Sequence, residues 1–148
     1  MLTLASEKDT VALGAALAVD ARRGDVIALR GPLGAGKTTL ARGFIQKIVG
    51  TAEEVVSPTF TLVQVYDTAD VPIWHFDLYR LDNPEDAWEL GFEEALATGI
   101  SVIEWPERLG ALLPAARLDV VLSSKGDKRQ AELSGWTDRL AALRNVGT

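Results

Sequence analysis

Along this chain, apolar positions switch repeatedly between helical spacing and short unbroken runs. Over residues 6–23 the apolar residues Val11, Leu13, Ala16, Leu17 and Val19 recur at mostly helical spacing. Ser6 can cap that segment, Asp9 stands at the capping-box position, and Gly24 supplies a stop, so the pattern predicts a first helix over 6–23. Residues 25–30 (DVIALR) form a short apolar run that reads as a buried strand, and 31–36 is a glycine-rich loop. A second helix is expected over 37–49, with Leu40, Phe44, Ile45 and Ile48 on one side and Gly50 as its stop.

Beyond the break at Ser57-Pro58-Thr59, residues 60–66 and 73–79 are rich in β-formers. The connection between them carries Asp67, Asp70 and Pro72, which predicts a hairpin. Residues 84–97 read as a helix with Pro84 in its first turn and Gly99 at its end. Residues 100–104 (ISVIE) are another buried strand. Two late strands, 118–123 and 131–133, flank the turn Lys125-Gly126-Asp127, and 138–144 is a last short helix. A short hairpin makes antiparallel neighbours, whereas parallel strands need longer crossovers. The expectation is a single α/β domain over 1–148, a mixed β-sheet flanked by helices.

Composition narrows the function classes. The 148 residues are 47% hydrophobic and 24% charged, enough for a real core and unlike a disordered chain. There are no cysteines, which excludes a disulfide framework, a thiol nucleophile and a thiolate metal site. The apolar run 11–19 is too short to span a bilayer, and the N-terminus lacks the basic start and long apolar run of a secretory signal. A soluble cytoplasmic protein is expected. The net charge of -6 argues against a chain that grips nucleic acid alone, since such proteins lean on Lys and Arg to neutralise phosphates.

The chemistry lies in Gly31-Pro32-Leu33-Gly34-Ala35-Gly36-Lys37-Thr38, which fits glycine, four residues, glycine, lysine, then serine or threonine. Glycines let successive N–H groups turn inward on phosphate oxygens, and the helix beginning at Lys37 adds its positive end. Lys37 suits the β- and γ-phosphates, and the Thr38 hydroxyl is a hard ligand for Mg²⁺. The four fixed positions arise by chance in roughly half a percent of chains this long. A plain glycine turn would satisfy the spacing too, but the motif also follows an apolar strand and opens an amphipathic helix, as phosphate binding requires. Together these predict an ATP and Mg²⁺ site, a P-loop NTPase-like domain.

A triphosphate site needs acidic residues at strand ends for metal and water. Asp77 ends one predicted strand and Glu104 another; each could instead pair with an arginine. Ser57-Pro58-Thr59 follows the loop helix, where many phosphate-loop proteins sense the γ-phosphate, although proline also favours an ordinary turn there. His75, the one histidine, shares a strand face with Asp77 and reads as a supporting residue rather than a catalyst. Trp74, Trp88 and Trp136 read as packing residues; Trp105 follows Glu104 and so lies near the site if Glu104 does. The chain lacks the Asn-Lys-x-Asp element of guanine readers, which favours ATP.

Four blocks now resemble a known family in order and spacing: GPLGAGKTT at 31–39, SPTFTLV at 57–63, HFDLYRL at 75–81 and EWP at 104–106. They are similar to the bacterial TsaE (YjeE) family, the ATPase component of the machinery that makes the threonylcarbamoyl modification of adenosine in tRNA. The resemblance implies that Gly31, Gly34, Ala35, Gly36, Lys37, Thr38 and Thr39 hold phosphates. It implies Thr38 and Glu104 as Mg²⁺ ligands, with Asp77 supporting the metal or the attacking water, and Lys37, Asp77 and Glu104 as the catalytic set. Ser57 and Thr59 would form a switch-like segment. The nucleotide base would lie near the start of the first helix, at Glu7 and Thr10, and near the turn 126–129 with Arg129. Pro32 stands where many members have Asp; at the loop's second position its side chain should point away from phosphate.

The resemblance also implies partners: a TsaB-like and a TsaD-like protein, with tRNA met only through that complex and no membrane. Two other readings compete with an ATP-driven switch. A small-metabolite kinase on the same fold would need an acceptor pocket and an arginine-bearing lid, yet Arg80, Arg108, Arg117 and Arg129 are scattered. A nucleotide sensor would bind ATP without turnover.

Overall fold

Buried β-branched and leucine runs between glycines build the centre of the molecule. The computed structural model describes residues 1–51 and 53–140. Its strands are β1 (Leu2–Leu4), β2 (Val26–Arg30), β3 (Val63–Tyr66), β4 (Ile73–Asp77), β5 (Ile100–Glu104), β6 (Leu118–Lys125) and β7 (Lys128–Ser134). The helices are α1 (Glu7–Ala18), α2 (Lys37–Val49), α3 (Phe92–Thr98) and α4 (Thr137–Leu140). Two 3-10 segments, Pro84–Leu90 and Pro106–Leu112, complete the described elements.

All seven strands join one sheet in the order β1-β7-β6-β2-β5-β4-β3. β2 runs parallel to β5 and β6, and β4 parallel to β5. The pairs β3–β4, β6–β7 and β1–β7 are antiparallel. The expected mixed sheet is therefore present, with the expected hairpins at β3–β4 and β6–β7.

Strand alternation divides the core between two faces. Ile27, Leu29, Ile73, Val102 and Val120 pack under Leu13, Leu17, Leu40, Phe44 and Ile45 of α1 and α2. Val26, Phe76 and Ile103 pack on the other face with Phe92 and Ala95 of α3 and Leu109. The four parallel strands β2, β4, β5 and β6 point the same way, which opens a crevice beyond their carboxyl ends.

Several boundaries depart from the sequence pattern. The first helix stops at Ala18, well short of 23, because Ala21 and Arg22 already turn: their N–H groups donate to the Ala18 carbonyl (3.2 Å) and to Asp25 Oδ2 (2.7 Å). Its Ser6 side chain makes no cap bond, and Asp9 Oδ2 instead accepts from the Ala5 N–H at 2.9 Å. The helix expected over 84–97 is two segments broken at Gly91, whose φ is 87°. A Cβ there would lie 2.8 Å from the Trp74 ring, so glycine permits both the turn and the close approach. The two late strands extend beyond their apolar centres to meet at the turn Gly126-Asp127. The last helix is described over Thr137–Leu140; the rest of the expected 138–144 lies outside the described residues.

Candidate functional site

The loop between β2 and α2 is shaped by its glycines. Gly31, Gly34 and Gly36 take φ of 146°, 78° and 103°, all on the positive side that residues with a Cβ rarely adopt. A Cβ on Gly31 would stand 2.6 Å from the Leu122 carbonyl oxygen. Gly36 forms the N-cap without a side chain, so no side chain caps the first amides of α2. A glycine-shaped loop opening a helix in this way suits an anion.

Lys37 is 5% exposed, yet among the described residues no carboxylate lies within ion-pair distance of it. Its Nζ donates to the Gly31 and Pro32 carbonyls at 2.5 and 2.9 Å and sits 4.1 Å from the centre of the Trp105 ring. Burial lowers its pKa from the ordinary 10.5, against the opposing pull of Glu104, Glu107 and Asp77. A buried cation held by neutral partners gains from an arriving anion.

Parallel register sets Asp77 directly beside Glu104 at the ends of β4 and β5. Glu104, 2% exposed, accepts the Thr38 hydroxyl at 2.9 Å (Oε1) and 3.1 Å (Oε2). Its Oε2 also lies 2.7 Å from Nε2 of the buried His75. Asp77 Oδ2 accepts from the hydroxyls of Ser57 and Thr59, each at 3.2 Å, and those two hydroxyls lie 2.8 Å apart. The Tyr79 N–H donates to Asp77 Oδ1 at 3.2 Å. Trp105, immediately after Glu104, has a φ of 60°, a left-handed conformation that costs a bulky residue on the order of 1–3 kcal/mol and is typical of functional sites.

These groups surround one cleft of about 470 Å³, a size suited to a small ligand. Of the residues singled out from sequence, Glu7, Thr10, Gly34, Gly36, Lys37, Thr38, Thr39, Ser57, Thr59, Asp77, Glu104, Trp105 and Arg129 all line it. Gly31 and Ala35 do not. Gly31 acts through the carbonyl that holds Lys37, and Ala35 is buried beneath the loop. Glu7 pairs with Arg42 at 2.8 Å across α1 and α2, and Arg129 donates to the Gly34 carbonyl. Sequence reasoning missed Leu4, Ala5, Ser6 and Leu33, which also line the cleft. The only signal for the first three was the brief Leu2-x-Leu4 alternation ahead of α1.

The donor set fits a hard cation held partly by a ligand. Thr38 and Glu104, with Asp77 alongside, offer hydroxyl and carboxylate oxygens. Among the described residues no group of three or more His, Cys, Asp or Glu forms a full protein cage. Mg²⁺ is commonly held in this way, by one or two carboxylates completed by phosphate oxygens.

Known proteins share this sequence and fold. Residues 4–131 match the family model described as "Threonylcarbamoyl adenosine biosynthesis protein TsaE". The chain is 43% identical to the "tRNA threonylcarbamoyladenosine biosynthesis protein TsaE" of Rickettsia felis, over 82% of this chain and 71% of the relative. It is 42% identical to the protein of the same name from Nostoc sp., over 95% and 88%, and 36% identical to that from Bacillus subtilis, over 81% and 75%. The crystal structure of Bacillus subtilis YdiB superposes with a TM-score of 0.74 and 26% identity, covering 97% of this chain and 90% of the other. With a family model matched across most of its length and relatives this similar over most of theirs, the chain belongs to the TsaE family.

Proposed function

We propose that this chain binds and hydrolyses ATP with Mg²⁺ and serves as the nucleotide-dependent switch of the tRNA threonylcarbamoyladenosine machinery, acting on a TsaB-like and TsaD-like complex. The observation that carries the proposal is the Thr38 hydroxyl on the Glu104 carboxylate at 2.9 Å, one residue after a buried Lys37 free of carboxylate partners among the described residues. The participation in threonylcarbamoyladenosine biosynthesis is supported by the family's description.

In this reading the loop amides and Lys37 receive the β- and γ-phosphates. Thr38 and Glu104 hold Mg²⁺, which when bound neutralises charge developing on the transferred phosphoryl group. Asp77 ties the end of β4 to the switch segment through the hydroxyls of Ser57 and Thr59. The cleft wall formed by Leu4, Ala5, Ser6, Thr10 and Arg129 receives the base. A kinase reading is less well supported. Arg80 stacks on Phe60, Arg108 faces Tyr79 and Arg117 bonds Asp119, which leaves Arg129 alone touching the phosphate loop. The proposed setting is cytoplasmic, with tRNA contacted through the partners; no helix among the described residues is long and apolar enough to cross a membrane.

Reconstitution tests the proposal. A mixture of the TsaB-like and TsaD-like proteins, tRNA and threonylcarbamoyl donor should sustain repeated modification only when this chain and ATP·Mg²⁺ are added. GTP in place of ATP should support less. Equal yield without the chain would overturn the proposal.

A further inference from the structure

The single histidine has no part in the chemistry described so far. His75 lies on β4 paired with Val102 of β5, one alternation before Asp77, and its ring is fully buried. Its Nε2 lies 2.7 Å from Glu104 Oε2, while the Thr38 hydroxyl reaches both carboxylate oxygens, nearer to Oε1 (2.9 Å) than to Oε2 (3.1 Å). The other ring nitrogen, Nδ1, is buried with no hydrogen-bond partner among the described residues. With the Glu104 carboxylate as acceptor, the close contact is a donation from Nε2–H, and Nδ1 has no partner to donate to or accept from among the described residues. A core position that leaves one polar atom unsatisfied costs free energy that an apolar side chain of similar size would not. The histidine is therefore explained by its one good bond, the donation to Glu104.

We propose that His75 is a positioning residue for the metal site: its Nε2–H pins Oε2 of Glu104 and thereby keeps Oε1 turned toward Thr38. The inference rests on the reading that Thr38 and Glu104 hold Mg²⁺. Groups that orient a metal ligand from behind typically change metal affinity or activity about tenfold to a hundredfold when removed. They do so without touching the nucleotide.

Two substitutions in the full chain separate this role from packing. In His75→Gln the amide nitrogen reaches the place of Nε2; in His75→Asn the side chain is too short to do so. Mn²⁺ binding in the presence of ATP is read by electron paramagnetic resonance, ATP binding in EDTA by calorimetry, and kcat and KM by phosphate release. His75→Asn should lose about tenfold or more in Mn²⁺ affinity and in kcat, while metal-free ATP affinity and KM stay within about twofold. His75→Gln should recover most of the loss. In the wild-type protein without metal, nitrogen-15 NMR of the one histidine should show a proton on Nε2, a reading that needs no variant to fold. Wild-type Mn²⁺ affinity in His75→Asn, or an Nδ1–H tautomer, would overturn the inference alone. A wild-type protein with no Mn²⁺ site in the presence of ATP would instead overturn the functional reading beneath it.

Discussion

Lys37 illustrates what single residues contribute here. A lysine that is buried, depressed in pKa by that burial and satisfied by two carbonyls and a ring has given up hydration without gaining an opposite charge. On the proposed function, phosphate supplies that charge. Lys37→Ala should therefore cost roughly 1.5–3 kcal/mol of ATP·Mg²⁺ binding, about ten- to a hundredfold, the range for charge-assisted bonds. Calorimetric titration measures it, and wild-type affinity in the variant would remove Lys37 from the site. Glu104→Ala should act differently. Thr38 and the loop still meet the nucleotide, but the carboxylate that organises the metal is gone, so turnover should fall at least tenfold while ADP affinity changes little. Unaltered turnover would move that role to its neighbour Asp77. The phosphate loop and both carboxylates could be picked from sequence because each sits at a recognisable boundary between an apolar run and a turn. The hydroxyl link from Ser57 and Thr59 to Asp77 could not, since alternation along a strand says which face a side chain takes and nothing about which distant loop crosses it.

At the scale of elements, the cleft depends on how closely α1 approaches α2. Gly14 and Gly43 lie where the two helices touch: a Cβ on Gly14 would stand 2.8 Å from the Phe44 amide, and one on Gly43 would stand 2.9 Å from Val11 Cα. Those contacts are backbone, which cannot swing aside. Gly43→Ala should destabilise the fold by about 1–3 kcal/mol, the usual cost of overpacking. Chemical denaturation would show it as a lower midpoint at unchanged slope, and an unchanged midpoint would contradict such close packing. ATP affinity should fall with it, because α1 carries Glu7 and Thr10 along the cleft wall. The helix α2 and strand β5 were legible to the residue, since a glycine or a charge closes each apolar pattern. β1 was not legible: three residues are too few for a period to show, and its pairing to β7 spans almost the whole chain. The break at Gly91 was hidden for another reason. The left-handed turn at Gly91 is packed under the Trp74 ring of a different element, and helical periodicity continues through the break without showing either.

The whole molecule arranges these parts as a centre with two kinds of wall. The sheet and α2 make a buried floor from Lys37, Asp77 and Glu104. The segment carrying Ser57 and Thr59 makes a wall that is mostly exposed, with Val56 and Phe60 turned outward beside it at 63% and 83% exposure. Among the described residues, hydroxyl bonds of 3.2 Å are the only side-chain hydrogen bonds from that wall to the floor. A wall so lightly held will not keep water in line for attack; a partner that packs against it can, and each ~1.4 kcal/mol gained is tenfold in rate. Linkage then requires ATP to change the affinity for that partner. The direct measurement is phosphate release from ATP·Mg²⁺ by the purified chain, alone and mixed with the TsaB-like and TsaD-like pair, with Lys37→Ala run in parallel. Slow release alone, a rise of about tenfold or more on mixing, and loss of both in the variant are expected. Release that is unchanged by the pair, or that survives in Lys37→Ala, would contradict the assignment of this cleft as a partner-activated ATPase centre.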